Sequence, residues 1–303
     1  MNLQERGILR VMLQNKLFKS DGQSFEDLFV SIMNYVDNDF QSIKPWGNIG
    51  DRKNDGYIKR TNTYYQVYAP EEIEKAYMQS IKKLATDFDG LMQQWSPVNC
   101  FYFVLNDKYK GIHPDLMPEI QKIKDKHHLE SAGIITAKDI ENMLFTLKDD
   151  QIISIVGIPP DPSNIKNIDY SALNEVITYI MELPIQTKLD DDLVLPDWDE
   201  KIQFNGLSQI IADFLNTASY QLHNLQTYLS NNGHFVADEL KIRVNEVYQQ
   251  EKSTKNGDQL FMAMVEQLSP KQTQSYQNTV IIIMAKYFET CDIFEEPKKE
   301  ENA

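Results

Sequence analysis

The chain has 303 residues, of which 45 are acidic and 30 basic, giving a formal charge of −15. This length is enough for one large domain or two ordinary ones, each burying a core without covalent staples. Only two cysteines occur, Cys100 and Cys291, which excludes a disulfide framework and fits a reducing cytosol.

The first residues, MNLQERGILR, carry charge where a signal peptide needs an apolar stretch, and no run of eighteen apolar residues follows. A soluble, cytoplasmic protein with no membrane partner is expected. Acidity of this size argues against nucleic acid at face value, because phosphate binding needs clustered Lys and Arg. The distribution changes that inference. Residues 1–110 hold 14 basic and 14 acidic side chains, so the whole negative excess falls behind residue 110.

Phe25, Leu28, Phe29, Ile32 and Val36 recur at helical spacing, with Ser24 as the expected N-cap and Asp27 three positions on. The stretch KPWGNIGDRKNDGY is rich in turn formers, and TYYQVY, dense in aromatic and β-branched residues, reads as a strand. Pro70 followed by Glu71, Glu72 and Glu74 marks the start of a helix lasting to about Trp95, and CFYFVL reads as a buried strand. Helix, strand, strand, helix, strand describes an α/β domain. Behind Gly111, DIENMLFTL, ALNEVITYIMEL, LSQIIADFLNTASYQLHNLQTYL and TVIIIMAKYFE are apolar at 3.6-residue spacing. The expected fold class is therefore α+β: an α/β domain over 1–110, then a mainly α-helical region over 111–303 with a sub-boundary near 190–200.

Within the first domain, Glu26 lies on a helix, Asp55 at the start of a strand after a tight turn, and Gln66 inside the next strand. If Asp55 and Gln66 lie on two arms of a hairpin, their side chains converge. Two carboxylates, an amide oxygen and a backbone carbonyl suit Mg²⁺ or Mn²⁺, and Asp51 is a further ligand on the same loop. The five histidines lack ligand spacing, which argues against zinc. No GxxxxGK[ST] occurs, so ATP binding through a P-loop is not expected.

The order GQSFEDLF, GDRKNDGY, YYQVY resembles the restriction-endonuclease-like PD-(D/E)xK superfamily, especially its Mrr-like branch. Gly22, Phe25 and Glu26 match its helix, Asp55 its aspartate, and Gln66 the first position of its Gln-x-Lys strand. The resemblance spans about residues 20–110. It implies a restriction-endonuclease-like fold and metal-dependent DNA cleavage, with Glu26, Asp55 and Gln66 at the metal. The sequence departs at the motif lysine, where Tyr68 stands. A lysine there orients water and offsets transition-state charge, which a phenol with pKa near 10 does not do. Lys53 is the first candidate replacement and Lys110 the second. Arg52, Lys59 and Arg60 form basic clusters able to engage phosphate.

In the helical region, KIQFNGLS at 201–208 and YFETCDIFEEP at 287–297 are similar to the C-terminal domain of ABC-three-component defence proteins, including Lamassu-type systems. That similarity implies an anti-phage effector docked through residues 111–303 on an SMC- or Rad50-like ATPase and a middle component. Its substrate would be DNA, and pairing to cut both strands would make a homo-oligomer. The alternative is a catalytically degenerate nuclease-fold adaptor that assembles the complex without cutting DNA.

Overall fold

The computed structural model describes residues 1–43, 53–161, 165, 168–183, 198–231, 234–290 and 292–297. The chain divides into two compact units, one comprising Leu13–Val156 and the other Met1–Met12 with Gly157–Ala303. Helix α1 (Leu3–Lys19) contributes its residues up to Met12 to the second of these and the remainder to the first.

The Leu13–Val156 unit continues with α2 (Gly22–Val36), β1 (Phe40–Ser42), β2 (Gly56–Ile58), β3 (Thr63–Tyr68), α3 (Ile73–Gln94), β4 (Cys100–Leu105), α4 (Leu116–His127), β5 (Ser131–Ile135), α5 (Ala137–Leu144) and α6 (Asp149–Val156). The five strands form one sheet in sequence order. β1, β2 and β3 run antiparallel, while β3, β4 and β5 are parallel, joined by α3 and α4 as crossovers. The sheet therefore continues past residue 110. SAGII has too short an apolar run to stand out from the surrounding helical pattern, yet it pairs with β4 over Cys100–Val104. The α/β unit consequently ends at Val156 rather than at 110.

Side chains alternate across β3. Tyr64 and Tyr68 face a core built from Phe88 and Leu91 of α3, Phe101 and Phe103 of β4, and Leu116 and Ile120 of α4. Tyr65 faces the other way, 5.6 Å from the Phe29 ring of α2 and 5.8 Å from Phe40. The cap of α2 lies three residues before the expected one: Asp21 is the N-cap, and its N–H donates to Ser24 Oγ at 2.9 Å. Ser24 thus caps from inside the first turn.

The other unit contains α7 (Tyr170–Glu182), α8 (Trp198–Phe204), α9 (Gln209–Ser219), α10 (Leu222–Asn231), α11 (His234–Lys252), α12 (Gly257–Leu268) and α13 (Gln274–Glu289). Val280 to Ala285 are all buried, so α13 is apolar on every side and forms the centre around which the other helices pack. Ile8 of α1 joins this core. The unit holds 13 basic and 24 acidic side chains, so most of the negative charge stays with the helices. None of the described helices is long and apolar enough to cross a membrane.

Candidate active site

Chemistry-bearing residues gather where β2 opens. Asp55 precedes β2; its N–H donates to the Tyr65 carbonyl at 3.0 Å, and its carbonyl accepts the Ile43 N–H at 3.2 Å. The backbone is thereby tied to both neighbours, which turns the side chain toward β3. Gly56 looks in the sequence like half of an Asp-Gly turn. In the fold it opens β2, and a Cβ there would lie 2.4 Å from the Phe40 ring, so glycine is required by close packing.

Asp55 is 4% exposed, and its Oδ2 accepts the Val67 N–H at 2.6 Å and the Gln66 Nε2 at 2.7 Å. Gln66, equally buried, spends its amide nitrogen on Asp55, which leaves its Oε1 without a hydrogen-bond partner among the described residues. An unmatched buried acceptor costs about 1–3 kcal/mol, and a cation or ordered water would relieve it. The neighbouring Asn54, fully buried, accepts the Gly56 N–H at 3.1 Å, and its Nδ2 also has no partner among the described residues. This arrangement offers hard oxygen donors of the kind Mg²⁺ takes while retaining several waters. Among the described residues, no three His, Cys, Asp or Glu side chains form a group able to hold a metal.

Glu26 is half-buried on α2, the helix covering the Tyr65 face, whereas Gln66 shares its face of β3 with Tyr64 and Tyr68. Asp51 and Arg52 lie outside the described residues. Lys53 pairs with Asp87 of α3 at 2.9 Å. Lys110 pairs instead with Glu74 at 2.9 Å, both on the surface. Lys59 is exposed on a short 3-10 turn, Lys59–Thr61, beside Arg60. The Arg60 guanidinium is committed to Asp37 and Asp39 at 2.6 and 2.7 Å, so its charge is locally matched.

Burial raises the pKa of the Tyr68 phenol above its ordinary value, keeping it neutral. The cation found beside it comes from elsewhere: the Lys83 Nζ of α3 lies 5.5 Å from the Tyr68 ring centroid and 2.6 Å from Asp87. Sequence reasoning missed Lys83 because Lys82 and Lys83 look like the solvated face of an amphipathic helix. The one signal was the i,i+4 spacing to Asp87.

Residues 171–295, from α7 to just beyond α13, match the family model of C-terminal domain 10 of the ABC-three component (ABC-3C) systems. This agrees with the similarity read from residues 201–208 and 287–297. No curated protein and no solved structure matches the chain.

Proposed function

We propose that this chain is a Mg²⁺- or Mn²⁺-dependent DNA endonuclease effector of a bacterial anti-phage ABC-three-component complex. On this reading it docks on an SMC- or Rad50-like ATPase and a middle component through its helical unit, in the cytoplasm. The match over residues 171–295 supports membership of a multi-component system. The observation that carries the nuclease reading is the pairing of buried Asp55 with Gln66 across the β2–β3 hairpin, with the Gln66 Oε1 unmatched among the described residues. The residues that carry the resemblance, Gly22, Phe25, Glu26, Asp55 and Gln66, lie on α2, just before β2 and within β3, in that order.

Asp55 and Gln66 would hold the metal, with Asp51 as a further ligand, while Glu26, on the helix over the opposite face of β3, would not join them. A divalent ion held there supplies charge neutralisation at the scissile phosphate and an activated water. Lys83, whose Nζ lies 5.5 Å from the Tyr68 ring centroid, would supply the cation that Tyr68 lacks, in place of Lys53 and Lys110. Lys59 would steer phosphate toward the site. The test is cleavage of supercoiled plasmid with Mg²⁺ by the chain assembled with the products of its neighbouring genes. Nicking or linearisation that disappears in Asp55→Asn is expected; equal cleavage by parent and variant overturns the site.

Tyr68 favours one second reading, the non-cleaving adaptor. In that case the assembled complex leaves DNA intact with Mg²⁺ or Mn²⁺ while the chain still binds its partners.

A further inference from the structure

We infer that Asp87 is a positioning residue for the proposed site, holding the Asp55 turn and the Lys83 ammonium from one seat on α3; the catalytic consequence rests on the nuclease reading above. Asp87 is 2% exposed, among α3 positions otherwise occupied by core residues such as Leu84, Phe88 and Leu91. A carboxylate in such a place is disfavoured unless it is well paired. Its two oxygens take two lysines from different parts of the chain. Oδ2 meets Lys83 Nζ at 2.6 Å, one turn back on the same helix, and Oδ1 meets Lys53 Nζ at 2.9 Å, from the turn before β2.

Lys53 reaches Asp87 across Gly90. A Cβ at Gly90 would stand 3.0 Å from Lys53 Cγ, so the bare helix turn gives the lysine stem its track and Asp87 ends it. Lys53 also holds a left-handed backbone conformation, φ 62°, which L residues adopt rarely. The side-chain anchor therefore pins the strained residue two positions before Asp55. Asp55 is tied at its far side to Gln66 and Val67, so the turn is gripped from both the helix and the strand. The same carboxylate holds Lys83 beside Tyr68, two residues from Gln66 on the same face of β3.

The test uses the full chain and three variants: Asp87→Asn removes the charge, Gly90→Ala blocks the track, and Lys53→Met removes the partnered cation from a half-exposed position. Hydrogen exchange is read at the Asp55 and Gly56 amides, which are bonded to Tyr65 O and Asn54 Oδ1. Exchange at these two amides should quicken at least tenfold in each variant that folds, with β4 and β5 amides unchanged. Plasmid cleavage by the assembled complex should lose about tenfold or more in kcat, with KM for DNA within twofold, since misplacement on the order of 1 Å is costly to a catalytic group. Unchanged exchange at Asp55 and Gly56 overturns the seat. Quickened exchange with unchanged kcat overturns the positioning role. Quickened exchange in variants of a parent that cuts no DNA leaves the seat standing and removes the nuclease reading instead.

Discussion

The Asp55 carboxylate accepts the Gln66 side-chain amide at 2.7 Å, joining residues eleven apart in the chain across a hairpin. The same oxygen takes the Val67 N–H at 2.6 Å, so Asp55 also closes a hole in the backbone bonding of β3. Asp55→Ala strands both donors in a buried site and should cost about 2–4 kcal/mol. Asp55→Asn keeps the shape and should cost less. Urea unfolding of the parent and both variants measures this, and a parental midpoint for Asp55→Ala would show that Asp55 does not hold the hairpin. The contrast also makes Asp55→Asn the proper variant for cleavage assays.

Besides Lys53 and Lys110, the candidates read from the sequence, the fold offers Lys83 as the replacement for the motif lysine, and Lys83 and Lys110 are told apart by mutation. Lys83→Met should lower single-turnover cleavage by about 10²–10³-fold, the usual effect of losing one preorganised electrostatic group. Lys110→Met should stay within about twofold, because an exposed pair such as Lys110 with Glu74 contributes little. Cleavage by Lys83→Met at the parental rate would place the cation elsewhere.

Glu141 of α5 is fully buried. Its Oε2 accepts Gln14 Nε2 at 3.0 Å and the Tyr109 hydroxyl at 2.9 Å, and its Oε1 meets Lys138 at 2.6 Å. Removing this buried carboxylate leaves the partly buried Gln14 and Tyr109 donors unmatched and opens a cavity, so Glu141→Ala should destabilise by about 3 kcal/mol. For a unit of this size, thermal unfolding should move down by about 8 °C. A shift under about 2 °C would mean that water replaces the carboxylate.

Asp169 caps α7, accepting the Ser171 and Ala172 N–H groups at 3.0 and 3.1 Å and the Ser275 hydroxyl at 2.7 Å. The Ala172 N–H, then the Ser275 hydroxyl, hold its carboxyl below the ordinary aspartate value. A carboxyl whose pKa is depressed by folding stabilises the fold above its unfolded pKa, and that contribution fades as pH falls through the folded value. Asp169→Ala should therefore cost about 1 kcal/mol at pH 7, with a smaller difference below about pH 4. Melting temperatures of both proteins between pH 2.5 and 7 give the comparison, and a constant gap would contradict the charged cap.

Much was legible because the signals are local. TYYQVY and CFYFVL alternate or run apolar as strands, and the helices of the second unit carry 3.6-residue periodicity, so β3, β4, α7, α9, α10 and α13 follow from side-chain spacing alone. The Asp55 and Gln66 convergence was legible too, because an Asp before one strand and a Gln within the next meet whenever those strands pair as a hairpin. The charge imbalance was equally readable, and the structure leaves most of it on the helical unit.

Other features depended on groups distant in sequence. SAGII is too short to declare itself a strand; only the open edge of β4 recruits it, and this moves the unit boundary to Val156. Arg60 looked free to meet phosphate until the fold brought Asp37 and Asp39 beside it. Lys83, Asp87 and Gly90 fall within the expected helix, where spacing alone gives them no common role. Their shared role exists only because the turn bearing Lys53 crosses α3 at that point. Composition and periodicity are set by each residue and its near neighbours, so the sequence determined the elements, the acidic helical half and the Asp55–Gln66 pair. Where a buried charge finds its partner depends on which surfaces pack together, and that the tertiary structure alone decided.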